Sequence, residues 1–205
     1  MLPTVFVVDD DISVRESLQS LLQSAGWRPV VCASGAEFLA YPRAPMPCCL
    51  ILDVTLPDFD GFDLQRLVAD RTDLPIIFIT GHGDVPMTVR AMKAGAIEFL
   101  TKPFADHVLL DAVRQAIDKS SAAVAREAEV RALRERYALL SHREQQVMAF
   151  VVAGFLNKQV GGRLGITEVT VKSHRGMVMR KMKAQSLPDL VHMAASLGIT
   201  PMAQA

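Results

Sequence analysis

Short apolar runs alternate with amphipathic stretches from Val5 to Ile117. Five runs of three or four residues have the length and composition of buried strands: Val5–Val8, Val30–Cys32, Leu50–Leu52, Ile76–Ile79 and Ile97–Leu100. Between them, apolar residues recur at the spacing of one helix face. This alternation predicts a parallel sheet that is wrapped by helices.

The helices of this first half are indicated by their end signals. Ser13 and Glu16 have the spacing of a capping box, and Gly26 has the position of a helix stop. Further helices are predicted over Ala36–Ala40, Phe62–Asp70, Val85–Ala94 and from Asp106 onward. Because proline cannot donate a hydrogen bond to an interior ladder, Pro29 suits an edge strand or a strand start. Five strand–helix units predict a doubly wound, five-stranded α/β domain.

The second half of the chain shows only the helical pattern. Residues 119–140 contain no glycine or proline and are rich in alanine, glutamate and arginine, which predicts a helical, semi-rigid linker. Capping signals then open three of the four helices that follow, at Ser141, Thr167 and Ser186. Two of these helices are predicted over Asn157–Leu164 and Glu168–Met182. We therefore predict an α/β domain over 1–118, a linker over 119–140 and a small all-α domain over 141–205.

Charge is distributed unevenly between the two halves. The 205 residues carry no net charge, but residues 1–119 hold 16 acidic and 10 basic side chains, and residues 120–205 hold 6 and 12. A basic second half favours contact with a polyanion. The sequence lacks a membrane-length apolar run and a signal peptide, so a cytoplasmic location is expected. The three cysteines have neither disulfide nor metal-ligand spacing and are expected to pack in the core.

Polar residues follow the predicted strands at their carboxyl ends. Asp9 and Asp10 follow the first strand, Asp53 the third, Thr80 the fourth and Lys102 the fifth. In open α/β sheets this edge forms the ligand crevice, so these side chains are expected to converge. Three crowded carboxylates repel one another and favour a hard divalent cation, for which Mg²⁺ is the natural candidate. With Mg²⁺ and Lys102 withdrawing charge, Asp53 could attack a phosphoryl group.

The predicted helix Glu168–Met182 concentrates the positive charge of the second domain. Five of the eight basic side chains in 141–205 lie between Lys172 and Lys183. A stripe at helical spacing is predicted to be buried: Val171, His174, Val178 and Met182. The outer faces are then formed by Lys172, Ser173, Arg175, Gly176, Met179 and Arg180. The second helix of a helix-turn-helix can enter the major groove, and Lys172 is the first choice for base contact.

Four motifs of the first domain resemble the signature set of response-regulator receivers, across residues 4–118. They are Val7–Asp10, Leu52–Asp58, Ile79–Asp84 and Lys102–Phe104. The resemblance implies a CheY-like fold, Asp53 as phosphoacceptor, and Asp10, Asp53 and the Thr55 carbonyl as Mg²⁺ ligands, with Asp9 acting through water. It further implies that Thr80 and Lys102 contact the phosphoryl group, that Thr80 and Phe99 form the switch, and that a sensor histidine kinase is the donor.

The second domain resembles the LuxR/FixJ type of helix-turn-helix across residues 140–199, and domain order and length resemble the FixJ subgroup. The motifs are Leu140–Glu144, Gly154–Lys158 and Thr170–Arg175. The predicted DNA contacts are Asn157, Lys158, Thr167, Thr170, Lys172, Ser173, Arg175, Gly176, Arg180 and Lys181. The resemblance implies a non-enzymatic regulator that dimerises on phosphorylation, binds double-stranded promoter DNA and activates transcription with RNA polymerase. The glycines at 161, 162 and 176 depart from the pattern.

Two alternative classes of function stay open. Mg²⁺-dependent phosphohydrolases also use an aspartyl nucleophile after a strand, commonly with a second aspartate two residues later, but Thr55 stands there. The other class is an interaction module that never carries phosphate and uses the first domain only for docking. The complete set of pocket residues argues against this second class.

Overall fold

The structure is a computed structural model that describes residues 2–42 and 45–199. The chain divides into two compact units, one ending at Ala125 and the other beginning at Arg126. This division falls inside one helix, Asp106–Ala138, which includes most of the segment that was expected to be a helical linker. The domain limits at residues 118 and 140 stay predictions.

The first unit alternates strands and helices as predicted. In chain order they are β1 Thr4–Val8, α1 Ile12–Ser24, β2 Arg28–Cys32, α2 Gly35–Leu39, β3 Cys48–Asp53, α3 Gly61–Leu67, β4 Ile76–Thr80, α4 Val85–Lys93, β5 Glu98–Thr101 and α5 Asp106–Ala138. The strands form one parallel sheet in the order β2-β1-β3-β4-β5. The doubly wound α/β fold is confirmed, and Pro29 lies in the edge strand β2.

Both faces of the sheet are covered, because alternate residues of each central strand point to opposite sides. One core contains the side chains Phe6, Val8, Leu50, Leu52 and Phe78. The other core contains Val5, Val7, Ile51, Ile77 and Ile79. The polar residues that follow these strands are thereby carried to one edge of a rigid, buried sheet.

The start of the first helix differs from the prediction. Asp11, not Ser13, is the N-cap, and its carboxylate accepts hydrogen bonds from the backbone N–H and the hydroxyl of Ser13 at 2.8 and 2.6 Å. The predicted capping box of Ser13 and Glu16 was therefore wrong. The Ser13 N–H, which the Glu16 side chain would bind in such a box, already donates to the Asp11 carboxylate. Gly26 follows the helix with a φ of 84°, as its predicted stop position requires.

The cysteines and one buried serine lie within the first unit. All three thiols are buried. Burial raises the pKa of Cys32 to about 11 and raises that of Cys49 above its ordinary range. Ser120 of α5 is fully buried, and its hydroxyl accepts a hydrogen bond from the Cys48 N–H at 2.9 Å and donates one to the Asp73 carbonyl. Helix α5 is thus hydrogen-bonded to the amino-terminal edge of the sheet.

We expect Ser120→Ala to lower the free energy of unfolding of the first unit by about 1–3 kcal/mol, because both hydrogen bonds of a buried hydroxyl are lost. Trp27 is the only tryptophan of the chain and packs against this core, so its fluorescence reports the urea unfolding of this unit alone. The neighbouring Ser121→Ala is the control and should unfold with the wild type. Coincident curves for all three proteins would contradict the prediction.

As far as residue 199, where the described residues end, the second unit contains helices and the turns between them but no strand. After the end of α5 the helices are α6 His142–Val152, α7 Asn157–Leu164, α8 Glu168–Met182 and α9 Leu187–Ser196. The capping box at the start of α6 and the N-caps Thr167 and Ser186 are confirmed. Among the described residues, none of the helices is both long and apolar enough to cross a bilayer.

The buried face of α8 agrees with its predicted stripe, apart from two positions. Val171, Val178 and Met182 are buried, while His174 is only half-buried. Met179 was assigned to the outer faces, but it packs against the core of the second unit. The core reaches farther around the helix than the stripe predicts. The assignment of Met179 to the outer faces was therefore wrong.

The two adjacent glycines of α7 occupy different surroundings. A Cβ built on Gly161 would lie 2.7 Å from the carbonyl oxygen of Ile166, whereas one built on Gly162 meets nothing within 4 Å. The two departures from the family pattern are therefore not equivalent. Gly161 gives room to the turn before α8, and only Gly162 weakens the helix without an evident steric role.

We expect Gly162→Ala to stabilise the second unit by about 0.5–1 kcal/mol, the difference in helix propensity between glycine and alanine. Gly161→Ala should stabilise the unit less, because the Ile166 carbonyl must move to make room for the added methyl group. Thermal unfolding followed by helical circular dichroism measures both changes. A lower transition midpoint for Gly162→Ala would contradict the prediction.

Candidate functional site

The acidic residues that follow β1 and β3 come together at the carboxyl edge of the sheet. Asp9 is fully buried and Asp53 nearly so, while Asp10 is exposed. One carboxylate oxygen of each of these residues lies within 4.8 Å of the others. The convergence predicted from the strand ends is confirmed for this cluster. Its oxygen donors suit a small hard cation such as Mg²⁺, which takes few carboxylates and retains water.

Lys102 neutralises part of this cluster. Its Nζ lies 2.6 Å from Asp9 Oδ2 and 2.7 Å from Asp53 Oδ2. Burial raises the pKa of Asp9, although the hydrogen bond from Lys102 opposes this. Burial also works against the charge of Lys102, but the hydrogen bonds to Asp53 and Asp9 outweigh it and raise the pKa of the ammonium. The Lys102–Pro103 peptide bond is cis.

The loops around the cluster fix the carboxylates through backbone contacts. Asp9 Oδ1 accepts from the Asp11 N–H and Asp53 Oδ1 accepts from the Thr55 N–H, both at 2.9 Å. A Cβ on Gly61 would lie 2.6 Å from the Asp53 carbonyl oxygen, so the start of α3 approaches the site closely. Asp53 is therefore held in place while its Oδ2 is bound only by Lys102 among the described residues. The carbonyl of Thr55 as a metal ligand stays a prediction.

Thr80 and Phe99, the predicted switch pair, both face a glycine that the sequence did not single out. Thr80 ends β4 in a buried position, and its hydroxyl accepts from the His82 N–H at 3.2 Å. Phe99 is buried on β5. A Cβ on Gly83 would lie 2.9 Å from Phe99 Cε1 and 3.2 Å from Thr80 Cγ2. Both side chains therefore pack so closely against Gly83 that no larger residue would fit at this position without a shift of its neighbours.

The predicted DNA contacts on α8 lie in two environments. Lys172, Ser173, Gly176 and Arg180 are exposed along the helix, with Lys172 forming a surface ion pair to Glu168 at 3.8 Å. Arg175 is half-buried and donates to Asn157 Oδ1 at 3.3 Å, which joins α8 to the start of α7. The remaining predicted contacts in the turn region are also at least partly accessible: Lys158, Thr167 and Thr170. All of these roles stay predictions.

Lys181 makes a contact that the sequence reasoning missed. Its Nζ lies 2.6 Å from Glu144 Oε2 and donates to the Leu139 carbonyl at 3.1 Å. Glu144 also accepts from the Ser141 N–H at 2.7 Å, and its side chain is only 6% exposed. The hydrogen bond from Lys181 is the main reason that the pKa of Glu144 is lowered. The ammonium of Lys181 is therefore engaged within its own domain. It could contact DNA only while also bound to Glu144, or after leaving Glu144.

Comparison with known protein families gives two matches. The family described as response regulator receiver domain matches residues 5–114, and the one described as bacterial regulatory proteins, luxR family, matches residues 138–194. The first match includes the whole acidic cluster with Lys102, Thr80 and Phe99. The second includes α6, α7 and α8.

Similar proteins extend over nearly the whole chain. Nodulation protein W of Bradyrhizobium diazoefficiens is 49% identical over 96% of this chain and 87% of its own length. Transcriptional regulatory protein FixJ of Rhizobium meliloti is 44% identical over 97% and 98%. Among solved structures, response regulator StyR is 47% identical, with a TM-score of 0.80 and coverage of 95% and 99%. The likeness thus includes both the receiver motifs and the helix-turn-helix.

Proposed function

Since the chain belongs to the response regulators that combine a receiver with a LuxR-type DNA-binding domain, we propose that phosphorylation of Asp53 by a sensor histidine kinase controls its binding to promoter DNA. The observation that carries this proposal is the position of Asp53. Its carboxylate ends β3 beside Asp9 and Asp10, with Lys102 Nζ 2.7 Å away. This is the arrangement that an aspartyl nucleophile for phosphoryl transfer requires.

The proposed reaction forms a bond between an Asp53 carboxylate oxygen and phosphorus while the bond from phosphorus to the kinase imidazole breaks. Asp10, Asp53 and the Thr55 carbonyl would hold Mg²⁺, with Asp9 acting through water, and the cation supplies charge neutralisation for the incoming phosphoryl oxygens. Lys102 moves from pairing two carboxylates to contacting the phosphoryl group. The protein accepts the group and does not turn over a substrate, so it acts as a regulator rather than an enzyme.

The switch follows from the new charge. A phosphoryl group adds about 1.5–2 negative charges and three strong acceptors. The Thr80 hydroxyl, which now accepts from the His82 N–H, would turn to donate to a phosphoryl oxygen. Phe99 would then move against Gly83 into the space that Thr80 leaves. Such a local change biases a two-state surface formed by α4 and β5.

An exposed apolar row on α4 supports phosphorylation-dependent homodimerisation. Val85, Val89 and Met92 are 76, 45 and 43% exposed and follow at intervals of four and three residues, so they share one side of the helix. Pairing of two receivers through α4 and β5 would bury this row. Two DNA-binding domains could then contact half-sites that are related by two-fold symmetry.

The DNA-binding step is assigned to α8 as the recognition helix. Its exposed residues Lys172, Ser173 and Arg180 lie on the face away from the core, as the major-groove geometry of a helix-turn-helix requires. Bound at a promoter in the cytoplasm, the dimer would contact RNA polymerase and activate transcription.

The proposal is tested by DNA binding of the full chain and of Asp53→Ala, each with and without acetyl phosphate and Mg²⁺. The probe is a promoter fragment from the gene's own locus. We expect tight binding and a dimer only for phosphorylated wild type. Equal binding by all four samples would remove the switch role of the receiver and favour a docking module. Steady hydrolysis of acetyl phosphate at many turnovers would favour a phosphohydrolase.

A further inference from the structure

The face of α8 that points away from the core contains one large apolar residue. Positions 169, 172, 173, 176 and 180 are all exposed, whereas Val171, Val178 and Met182 are buried. Val169 is 77% exposed. A β-branched residue is a poor helix former, so local helix stability gives no reason for valine at this position. Single exposed apolar residues are common and do not by themselves indicate a function. Val169 is distinguished by its position in the helix.

Val169 is the second residue of α8, directly after the turn. The first turn of a recognition helix is the part that reaches the edges of the bases. The polar neighbours of Val169 are engaged locally, since Glu168 pairs with Lys172 at 3.8 Å and the Thr170 N–H donates to Thr167 Oγ1 at 3.2 Å. The Val169 side chain has no polar group for such a contact, and it stays exposed among the described residues.

Gly176 lies two turns farther along the same face. It has no side chain, and a Cβ built there would meet nothing within 4 Å. A helix with a glycine in the middle of its groove-facing side can bring its backbone closer to the bases. From the sequence, Gly176 was expected either to lack a base contact or to replace it by a close approach of the backbone. In this arrangement it allows side chains at the neighbouring turns to reach deeper.

We infer that Val169 contacts the C5 methyl group of a thymine in the major groove and thereby contributes to base specificity. The thymine methyl is the main apolar group that the major-groove edges of the bases present, so a methyl-bearing side chain with no hydrogen-bonding group can distinguish only this base. This inference rests on the proposed DNA-binding function and adds a residue that is not among the predicted DNA contacts.

The size of the effect follows from the burial of one methyl group. Removing a methyl-sized apolar contact changes a binding constant by about fourfold. Val169→Ala is expected to fold like the wild type, because the residue is exposed and alanine is the better helix former. The matched control is Val191→Ala, which removes an exposed valine from α9 in the same domain.

The test begins with full-length wild type, treated with acetyl phosphate and Mg²⁺, selecting duplexes from a random library. Each thymine of the selected half-site is then replaced in turn by uracil, which lacks only the methyl group. At one position per half-site, we expect the replacement of thymine by uracil to weaken DNA binding by the wild type and by Val191→Ala about fourfold. Val169→Ala should bind the thymine duplex about fourfold more weakly and show no further loss with uracil.

The outcomes separate this inference from the function on which it rests. A wild type that enriches no sequence, with or without acetyl phosphate, overturns both the proposed function and the role of Val169. A wild type that selects a motif but does not distinguish uracil from thymine at any position overturns the inference alone. The same holds if Val169→Ala retains the wild-type preference for thymine.

Discussion

Replacing Lys102 with methionine is expected to destabilise the first unit by about 3 kcal/mol in the absence of divalent cations. The ammonium hydrogen-bonds the carboxylates of Asp9 and Asp53 at 2.6 and 2.7 Å, and Asp9 is fully buried. Removing one partner of a buried ion pair leaves an uncompensated charge, which costs about 3–5 kcal/mol. We take the lower end, because the Lys102 side chain is 21% exposed and Asp10 is open to solvent.

Mg²⁺ should restore a large part of this loss if the acidic cluster holds the cation. A divalent ion that binds the folded state replaces the missing positive charge and stabilises the protein by mass action. Urea unfolding followed by Trp27 fluorescence, with and without Mg²⁺, measures both effects. Lys93→Met, an exposed lysine of α4, is the control and should change little. Equal destabilisation of the Lys102 variant with and without Mg²⁺ would contradict a cation site at Asp9, Asp10 and Asp53.

Lys181→Met is expected to destabilise the second unit by about 3 kcal/mol at neutral pH. The variant leaves the Glu144 carboxylate, which is 6% exposed, without its cation. The matched control is Lys172→Met, which breaks the exposed pair with Glu168 and should change stability by less than about 1 kcal/mol. Thermal or urea unfolding followed by helical circular dichroism separates the two variants, while the Trp27 transition of the first unit stays unchanged.

The same ion pair sets a pH dependence. The pKa of Glu144 is lowered in the folded state, so the pair stabilises the second unit above the ordinary glutamate pKa of about 4.3. This stability is lost as the pH falls through that value toward the lowered folded pKa. Lys181→Met should therefore converge with the wild type at acidic pH and differ from it most near neutrality. A constant difference between the two proteins from pH 7 to pH 3 would contradict the role of the pair.

The acidic cluster could be predicted from sequence because topology alone brings it together. In a parallel sheet every strand ends at the same edge, so Asp9 and Asp53 are expected at one edge once their strands are recognised, and the pairing of β1 with β3 makes them neighbours. No information on side-chain packing is needed for this step. The fold class followed from the same alternation of apolar runs and amphipathic stretches, whereas the strand order was not predicted and comes from the structure.

The contacts that the sequence did not predict depend on how elements pack against one another. Glu144 was interpreted as half of a capping box, and the structure confirms that role. Its carboxylate has a further partner, Lys181 of α8, which lies 37 residues later in the sequence. Helical periodicity identifies which side of α8 is buried but not how wide that side is. Met179 lies at the margin of the stripe, where the packing of neighbouring helices decides burial.

Local hydrogen-bond competition explains the misplaced start of α1. Asp11 and Ser13 both have side chains that can cap a helix, and sequence patterns do not rank two candidates that are two residues apart. The structure favours Asp11, whose carboxylate accepts from both donors of Ser13. Similarly, Gly83 carries no chemical group, so its contact with Phe99 could be found only from the space around it.

The burial of all three cysteines makes the protein convenient for site-specific labelling. A thiol must ionise and be reached by solvent to react with a maleimide, and burial hinders both steps for Cys32 and Cys49. A cysteine introduced at an exposed position such as Ala122 or Val191 would react first. Fluorophore pairs for distance measurements between the two units could therefore be attached without first replacing the native cysteines.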